Sequence, residues 1–389
     1  MRIAVDAWEL GGRPTGVGRY LRALLSEWQS LTLASPHRFV LFGPPGAGPV
    51  LPEVGDGGAR FETRKIGRAE RGRTFWEQWD LPRALGREAA DVLFAPAYGA
   101  PLASRVPVVL TIHDVSFAAH PEWFRPRERW RRLWLARLAA RRAAMVITVS
   151  TFSAGEISRH LHVEPARIAV VPSGIPRLLA PPPGDVPIRR ANEVRPSDRE
   201  PLVVFVGSVF NRRRVPDLIR AFARVGSTRP MARLEVVGEN RTYPHEDLAR
   251  VAAEAGVSDR VALRAFVDDG QLAALYDRAS VFVFLSEYEG FGFTPLEAMS
   301  RGVPAVVLDT PVAREIYQDG ALYVDRGDLD GTAMAIGRVL DEPQLRTDLV
   351  HRGSRVLSSY SWTKAAERTL EVLVDAVRGS RATPARGPR

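Results

Sequence analysis

Short apolar runs alternate with longer amphipathic segments through the first half of the chain. The apolar runs are rich in β-branched residues and typical of buried parallel strands; they lie at 3–5, 39–42, 92–94, 108–112 and 146–149. Between them, apolar positions recur with helical spacing, which predicts helices at 17–28, 122–143 and 151–161. This alternation predicts a doubly wound α/β domain.

The alternation stops at residues 176–201, where prolines and charges are frequent and no periodicity is found, as in a linker. A second alternation follows, with predicted strands at 202–206, 234–237, 261–264, 281–285 and 305–308 and helices that begin near Val215, Glu246, Asp269 and Pro295. The fold class is therefore α/β, with two Rossmann-like doubly wound domains. Ligands of such sheets bind beyond the carboxyl ends of the strands, so we expect the site in a cleft between the domains.

Composition excludes several classes of protein. Of the 389 residues, 45% are hydrophobic and 25% charged, close to the average for soluble globular proteins. No apolar run is long enough for a transmembrane helix, and the first residues do not resemble a signal peptide. Cysteine is absent, which excludes disulfides, thiolate catalysis and cysteine-bound zinc. We therefore expect a cytoplasmic protein.

The net charge of +9 is unevenly distributed. Residues 1–199 contain 29 Lys and Arg against 19 Asp and Glu, whereas residues 200–389 contain 25 against 26. The first half is therefore better suited to an anionic partner. Lys65 and Lys364 are the two lysines, and we attribute the preference for arginine mainly to GC-rich coding.

A glycine-rich segment at 11–20 follows the first predicted strand and enters a helix. Such a turn exposes backbone N–H groups beside the positive end of the helix, which suits a phosphate or a closely packed sugar. No Lys-Ser/Thr pair follows Gly16, so the segment is not a P-loop, and the third glycine of a dinucleotide fingerprint is missing. A flexible turn with a helix cap is the alternative.

Polar residues end two further strands of the first domain. His113 and Asp114 follow one strand, on the side of the sheet where ligands bind; a structural His–Asp pair is the alternative. Ser150 and Thr151 follow the next strand and lead into a helix. A ligand role and a helix-capping role are equally compatible with these hydroxyls.

Three consecutive arginines at 212–214 follow the first strand of the second domain. Guanidinium groups bind phosphate oxygens bidentately, so this loop suits a diphosphate. An exposed basic loop without a ligand is the alternative.

The sharpest motif is SEYEGFGFTPLEAM at 286–299. We expect a helix to begin near Pro295, because proline suits the first helical position. The turn at 290–292 exposes backbone amides beside that helix start, which favours an anion. Glu289 and Glu297 flank the turn, and because carboxylates repel phosphate, we expect them to accept hydrogen bonds from sugar or ribose hydroxyls.

The order of these motifs resembles that of the retaining family-4 glycosyltransferases, also described as glycosyl transferases group 1, which have the GT-B fold. The most specific element is Glu289 with Glu297 inside EGFGFTPLEAMSRGVPAVV. Supporting motifs follow in the family's order: the glycine-rich loop, His113 with Asp114, TVSTFSAGEI at 148–157, VPSGI at 171–175, VGSVFNRRR at 206–214, FVDDGQLAALYDRAS at 266–280 and SWTKAAERTLEVL at 361–373. The resemblance covers nearly the whole chain, and bacterial mannosyltransferases are the members that the chain is most similar to.

The resemblance implies roles for individual positions. Residues implied to bind a nucleotide-sugar donor are Gly16, Gly18, Ser208, Arg212, Arg213, Val267, Gly290, Phe291, Gly292, Thr294 and Glu297. Residues implied to act in catalysis are His113, Glu289 and Arg213. Residues implied to lie on the acceptor side are Gly12, Asp114, Ser150 and Thr151.

The implied contacts differ in kind. Glu297 would accept hydrogen bonds from the ribose, and Glu289 from the transferred sugar. Arg213 stands where the family usually has a lysine on the diphosphate, which changes reach and geometry. Val267 would contact the base through its backbone, and His113 would lie near C6 of the sugar. In a further departure, Ser208 stands where many relatives have arginine.

The resemblance also implies a division of the chain. An acceptor domain would comprise 1–178, a Pro-rich linker 179–200 and a donor domain 201–360. A helix at 361–378 would cross back onto the first domain, and 379–389 would be a disordered tail.

The resemblance implies retaining transfer of a hexose from a nucleotide sugar, and we expect no cofactor or metal. Fixed cations and amides can stabilise the leaving diphosphate, no Asp-x-Asp pair ends a strand, and we expect Asp268 and Asp269 to cap a helix. The best guess for the donor is GDP-mannose. The acceptor would be a glycan or a lipid-linked glycan in polysaccharide or glycolipid synthesis.

Residues 125–142 contain eight arginines, with Trp130, Leu133, Trp134 and Leu138 at helical spacing. In the interpretation we favour, the tryptophans and leucines pack into the domain and the arginines are solvated. In the other, this basic helix lies on an anionic membrane, and the protein is peripheral at its inner face.

Other functions stay open. A nucleotide-sugar epimerase or a catalytically silent sugar-binding relative could share this architecture. A phosphorylase would need a pyridoxal lysine, and neither lysine falls in a cleft motif. The charge alone would suit a nucleic-acid binder, but no recognised binding module supports one, so we expect no nucleic-acid partner.

Overall fold

The computed structural model describes residues 1–11, 16–45, 60–68, 72–175 and 200–382. The chain divides into two compact units. The first contains Met1–Ala119, Pro126–Gly174 and Ser361–Arg389, and the second His120–Arg125 and Ile175–Tyr360. Residues 179–199 of the expected linker lie outside the described residues, so the linker stays a prediction.

The strands, numbered in chain order, are β1 (Arg2–Asp6), β2 (Arg38–Gly43), β3 (Arg60–Lys65), β4 (Val92–Ala95), β5 (Val108–Thr111), β6 (Met145–Thr148), β7 (Ile168–Val170), β8 (Leu202–Val206), β9 (Arg233–Val237), β10 (Val261–Arg264), β11 (Val281–Phe284), β12 (Ala305–Leu308) and β13 (Ala321–Val324).

The α-helices are α1 (Gly16–Ser30), α2 (Gly72–Phe75), α3 (Leu81–Glu88), α4 (Ser116–Ala119), α5 (Pro126–Arg142), α6 (Thr151–Leu161), α7 (Val215–Thr228), α8 (Leu248–Glu254), α9 (Asp269–Arg278), α10 (Phe293–Ser300), α11 (Pro311–Tyr317), α12 (Leu329–Asp341), α13 (Pro343–Leu357) and α14 (Trp362–Ala382). A π-helix (Trp76–Asp80) joins α2 to α3, and short 3-10 helices include Pro121–Trp123 and Asn211–Arg213. None of the helices in the described ranges has the length and apolar content that crossing a membrane requires.

The first unit is built on a parallel sheet of order β3-β2-β1-β4-β5-β6-β7. The middle residues of its central strands are apolar because helices cover both faces of a parallel sheet. The core centres on Trp28, whose ring stacks on Phe39 at 4.9 Å and whose Nε1 donates to the carbonyl of Ala366 in α14 at 3.0 Å. Strands β3 and β7 were not predicted, because edge strands are short or polar and give weak apolar runs.

The second unit has a parallel sheet of order β10-β9-β8-β11-β12-β13. The two doubly wound sheets confirm the predicted fold class. Strand β13 was missed in the sequence because it is a short edge strand, like β7. Asp268 caps α9 as predicted: its side chain accepts from the backbone of Gln271, and the Gln271 side chain accepts from Asp268 in return.

Two predicted boundaries were wrong. The last helix ends at Ala382 rather than 378, so the first four residues of the expected disordered tail are helical; residues 383–389 lie outside the described part. The helix predicted at 122–143 begins only at Pro126. Proline disfavours helical backbone at the preceding residue, Arg125, and itself suits the first helical position.

Residues 120–125 belong to the second unit rather than to the predicted domain 1–178. The His120 ring stacks on Trp123 at 3.9 Å and meets the Tyr288 ring edge-on at 5.1 Å. The Arg125 guanidinium lies 5.8 Å from the centre of the Tyr243 ring. These aromatic contacts account for the assignment of this short segment.

The favoured interpretation of 125–142 was also wrong. Trp130 and Trp134 are 51% and 58% exposed, whereas Leu133 is buried with the alanines of α5. Small alanine side chains let α5 pack closely on the first unit, so the buried face is narrower than the sequence pattern indicated.

Candidate donor site

Two of the predicted motifs meet at the middle of the second sheet. Strand β8 pairs with β11, and the chain order reverses between these two strands. Residues 207–214 follow β8, and residues 286–292 follow β11. A reversal of this kind opens a crevice at the carboxyl ends of the strands, where ligands of open α/β sheets bind.

In the loop after β8, the backbone at Gly207 and Ser208 packs closely against the Arg213 side chain. Gly207 has a φ of +133°, and a Cβ there would lie 2.5 Å from Nη1 of Arg213. The same Nη1 donates to the carbonyl of Ser208 at 2.9 Å. The predicted donor residue Ser208 thus contributes its backbone oxygen to the position of Arg213. Arg214 turns away and pairs with Asp217 and Glu287, so it does not join the other two arginines.

Arg212 and Arg213 converge on Glu289. Nε of Arg213 donates to Oε1 of Glu289 at 2.9 Å, and Nη2 of Arg212 lies 3.6 Å from Oε2. The Ser286 hydroxyl also donates to Oε1, at 2.9 Å. Although burial opposes ionisation, the two arginines and this hydrogen bond lower the pKa of Glu289 to about 2. Two guanidinium groups and one carboxylate give this trio one net positive charge.

The turn after Glu289 opens α10. Gly292 has a φ of +79° and forms the N-cap, and its carbonyl accepts from the Tyr317 hydroxyl at 2.9 Å. A Cβ at Gly292 would lie 2.1 Å from that hydroxyl. The helix therefore begins at Phe293 rather than near Pro295, because glycine allows the left-handed cap two residues earlier. Tyr317, which no sequence motif pointed to, holds the turn in place through this hydrogen bond.

Phe291, Thr294 and Glu297 lie on or beside the same turn. Phe291 is buried, and its ring meets the Tyr360 ring edge-on at 5.1 Å. Glu297 is buried at the carboxyl-terminal half of α10. The Thr294 hydroxyl oxygen is also buried and has no hydrogen-bond partner among the described residues. A buried hydroxyl of this kind can still bind a polar ligand atom.

A cavity of about 300 Å³ lies at the carboxyl ends of β9 and β10. Its polar lining includes Asn240, His245 and Asp247, which the sequence analysis missed because they belong to an irregular loop without a motif. Val267 lies just beyond β10, beside Phe266, whose side chain is 82% exposed. The volume is at the lower end of the range for small-molecule sites.

In the first unit, His113 and Asp114 follow β5 but have different partners. Nε2 of His113 lies 3.0 Å from the carbonyl of Pro96, and the ring meets Tyr20 edge-on at 4.8 Å. Burial lowers the pKa of His113. A carbonyl only accepts, so Nε2 carries the proton and Nδ1 of the neutral ring is an acceptor. Oδ1 of Asp114 accepts from the backbone and hydroxyl of Ser116.

The remaining predicted residues of the first unit lie at helix starts. The Ser150 side chain is buried and caps α6 by accepting from the backbone of Ser153 at 3.1 Å, the capping alternative of the sequence analysis. Thr151 is the exposed first residue of α6. Gly16 opens α1, and Gly18 is buried within it. Gly12 lies outside the described residues.

A charged cluster beside β1 was not predicted. Asp6 ends β1 and is buried, with Nη2 of Arg73 3.7 Å from its Oδ2. Arg73 also pairs with Glu9 and lies 3.6 Å from Glu77 of the π-helix. Burial and the charge of Asp6 raise the pKa of Glu77 to about 7. These residues are distant in sequence and form no motif, so only the structure brings them together.

Comparison with known families accounts for most of the chain. The family described as "Glycosyltransferase Family 4" matches residues 14–177, and the family described as "Glycosyl transferases group 1" matches residues 189–356. The chain belongs to the family-4 glycosyltransferases. Its two units carry the two domains of this family, as the order of the motifs predicted.

Curated relatives of this glycosyltransferase include two mannosyltransferases. The MMP alpha-(1->4)-mannosyltransferase of Mycolicibacterium hassiacum is 30% identical over 284 residues, covering 70% of this chain and 66% of the relative. The O-antigen chain mannosyltransferase B of Escherichia coli is 26% identical over 268 residues, covering 67% of this chain and 68% of the relative. The aligned part thus spans about two thirds of each relative.

Among solved structures, sucrose-phosphate synthase from Thermosynechococcus elongatus matches this glycosyltransferase with a TM-score of 0.71. The match covers 97% of this chain and all of the other, at 18% identity. At that identity the similarity shows the fold alone. Within the described ranges, no group of three or more His, Cys, Asp or Glu side chains is placed to hold a metal ion. Metal independence nevertheless stays a prediction.

Proposed function

We propose that the protein transfers a hexose, with mannose from GDP-mannose as the best candidate, to a glycan or lipid-linked acceptor, with retention of configuration and without a metal ion. The observation that carries this proposal is the pair Arg212 and Arg213, held by Glu289 beside the turn at 290–292. Family membership supports glycosyl transfer, and the mannosyltransferase relatives support mannose.

The arginine pair supplies the charge that a nucleotide diphosphate requires. Their excess positive charge lies beside the amino-terminal end of α10, where backbone N–H groups and the helix dipole also favour an anion. Glu289 fixes both guanidinium groups before a ligand arrives, so little side-chain ordering is needed on binding. Gly290 and Gly292 allow the phosphates to approach the backbone closely.

The nucleoside would extend from the diphosphate over the second unit. The buried Glu297 accepts hydrogen bonds from the ribose hydroxyls, and the Thr294 hydroxyl provides a further polar contact. The backbone of Val267 contacts the base, and the cavity at the ends of β9 and β10 gives the base room. Asn240 and Asp247 offer the polar groups that a base edge can recognise.

The transition state develops negative charge on the departing diphosphate. Fixed guanidinium and amide donors stabilise this charge, and one such donor is worth about 10²–10³ in rate. The acceptor attacks from the face that the diphosphate leaves, so configuration is retained without a covalent enzyme intermediate. Glu289 is a weak nucleophile because its pKa of about 2 reflects oxygens already engaged by cations; it accepts hydrogen bonds from the sugar instead.

Residues of the first unit contribute further polar groups. Nδ1 of His113 accepts a hydrogen bond from the hexose near C6. Gly16 and Gly18 let the backbone at the start of α1 approach the donor. Asp114 and Thr151 serve the acceptor, whereas Ser150 acts through the position of α6, which it caps.

Slow donor hydrolysis by the purified protein tests this function. The donors are GDP-mannose, UDP-glucose, UDP-N-acetylglucosamine, UDP-galactose and dTDP-rhamnose, each with and without EDTA, with the released nucleotide identified by mass spectrometry. We expect GDP release from GDP-mannose, unchanged by EDTA and lost in Glu297→Ala. Proton NMR of the first product formed then shows its anomeric configuration.

Three results would overturn parts of the proposal. Release that stops with EDTA and returns with a divalent cation would contradict metal independence. Release of a different nucleotide would replace the proposed donor. A protein that neither hydrolyses nor is thermally stabilised by any of the five donors would overturn the donor-site assignment and favour a silent or differently specialised relative.

A further inference from the structure

The surface of α5 combines exposed tryptophans with arginines. Trp130 and Trp134, 51% and 58% exposed, lie one turn apart on the helix. Arg127, Arg131 and Arg141 are exposed as well. With 3.6 residues per turn, positions 127, 130, 131, 134 and 141 fall on one side of α5. We call this side the arginine–tryptophan face.

The opposite side of α5 is closed by packing within the first unit. Leu133, Ala136, Ala139 and Ala140 are buried there. The orientation of α5 is therefore fixed, and the arginine–tryptophan face is turned to solvent. Arg131 strengthens this arrangement because its Nη1 donates to the Thr74 hydroxyl of α2 at 3.2 Å.

The charge of the face has one sign. Glu128 is the single acidic residue of α5, and it pairs with Arg132 outside the face. The ends of the face carry Arg127 and Arg141, while the indole rings occupy its middle. The guanidinium of Arg129 lies 5.2 Å from the centre of the Trp130 ring, which holds that ring by a cation–π contact.

This chemistry matches an anionic bilayer surface. Arginine side chains are attracted by anionic headgroups, and indole rings partition into the zone between headgroups and acyl chains. An exposed apolar patch that is rimmed by charged residues is typical of an interaction site. A double-stranded nucleic acid would use the charge but would leave the regular pair of indoles without a function.

We propose that the arginine–tryptophan face docks the protein on an anionic membrane, with Trp130 and Trp134 inserted at the headgroup level and Arg127, Arg131 and Arg141 on the headgroup charges. The docking does not depend on the proposed donor or reaction. It predicts an acceptor presented at a membrane surface rather than in bulk solution.

Vesicle sedimentation of the full chain tests the docking. Phosphatidylcholine vesicles are compared with vesicles in which about a third of the lipid is phosphatidylglycerol. We expect binding to the anionic vesicles alone, weakened by about 0.5 M NaCl because exposed charges are then screened. Each arginine near such a surface strengthens binding about fivefold, so Arg127→Gln/Arg131→Gln/Arg141→Gln should weaken it roughly a hundredfold.

Two further variants make the test specific. Trp130→Ala/Trp134→Ala should weaken binding roughly tenfold or more, through the lost apolar contact. Arg105→Gln/Arg368→Gln/Arg378→Gln removes the same charge from exposed positions elsewhere in the first unit and should retain most of the binding. Circular dichroism and thermal unfolding verify that each variant is folded. Brominated lipids should quench tryptophan fluorescence in the wild type and much less in the tryptophan variant.

Several outcomes would overturn the proposal. The first of these outcomes is that the protein does not bind anionic vesicles at low salt. Equal binding by the tryptophan variant, or equal losses in the two arginine variants, would indicate nonspecific charge attraction. Binding of single-stranded nucleic acid with the same dependence on both tryptophans would assign the face to a different partner. Dimers that dissociate in Trp130→Ala/Trp134→Ala without vesicle binding would make it a subunit interface. Donor hydrolysis should be unchanged in all of these variants.

Discussion

Arg213 and Glu289 come from loops after neighbouring strands, and Nε of Arg213 donates to Oε1 of Glu289 at 2.9 Å. The loop after strand β8 contains the arginine, and the loop after the paired strand β11 contains the glutamate. This pair makes the arginine both a fixed cation and a partner of the carboxylate that we propose to face the sugar. Phosphate binding and sugar binding therefore share one rigid unit in the proposed site.

Arg213→Gln should lower kcat/KM for the donor by about 10²–10³, because a cation aimed at the leaving diphosphate is lost. Arg213→Lys keeps the charge and should stay within about tenfold of the wild type. Arg326→Gln is the matched control, since Arg326 is exposed and pairs with Glu287. Steady-state kinetics checks all three. Equal activity of Arg213→Gln and Arg326→Gln would contradict the assignment.

Tyr317→Phe should raise the donor KM several-fold with a smaller change in kcat, because the turn at 290–292 loses its support. The lost hydrogen bond to Gly292 should also lower stability by about 1 kcal/mol. Tyr323→Phe is the control: that hydroxyl donates to the carbonyls of Ala313 and Gln318, away from the turn. An unchanged KM in Tyr317→Phe would show that the turn keeps its shape without this contact. Steady-state kinetics of both variants at varied donor concentration measures the change in KM.

The free energy of unfolding of the first unit should fall as the pH rises, because the Glu77 carboxyl group loses its proton. Its pKa is raised to about 7 in the folded protein, so the folded state holds a proton that the unfolded chain releases near pH 4.5. The resulting stabilisation is fully present below pH 4.5 and is lost as the pH rises through 7, roughly 3 kcal/mol in total. Thermal unfolding between pH 5 and pH 8 measures it.

Glu77→Gln should remove most of this fall in the unfolding temperature. Glu371→Gln, which changes an exposed carboxylate of α14, should leave the fall intact. A wild-type unfolding temperature that rises over this range, or a Glu77→Gln profile identical to the wild type, would contradict the raised pKa.

His113→Gln should lower kcat about tenfold, because the neutral acceptor Nδ1 is replaced by a group of different reach. The wild-type rate should also fall at acidic pH, below the ordinary imidazole range because burial lowers the pKa of His113, since protonation turns Nδ1 from an acceptor into a donor. His351→Gln, at an exposed position in the second unit, should keep the wild-type profile. The pH–rate profiles of the three proteins test this role. An acid limb that persists in His113→Gln would assign the titration to another group.

Much of the fold could be predicted because apolar runs record burial directly. Strands β8 and β11 have both faces covered, and their sequences are continuously apolar. The edge strand β3 is polar and was missed, since one neighbour and partial exposure leave little periodicity. Trp130 and Trp134 were wrongly predicted to be buried although their helical spacing is clear. Helical spacing identifies one face of a helix, but it does not say whether that face packs into the core or meets solvent.

Some features of the candidate site could also be predicted from the sequence, and others could not. Arg212, Arg213 and Glu289 could be found because they end strands in recognisable motifs. Their mutual pairing could not be predicted, since charge and spacing alone indicated that the arginines face a phosphate and the glutamate a hydroxyl. Tyr317 and Glu77 were missed because each acts through one tertiary contact with a distant segment.

In the proposed site, Arg212, Arg213 and the turn at 290–292 bind the diphosphate of the donor. Calorimetric titration of GDP, GMP and guanosine into the wild type and Arg213→Gln tests it most directly. We expect much tighter binding of GDP than of guanosine in the wild type, and loss of most of this difference in Arg213→Gln. Equal affinity for GDP and guanosine in the wild type, or an undiminished preference for GDP in the variant, would contradict it.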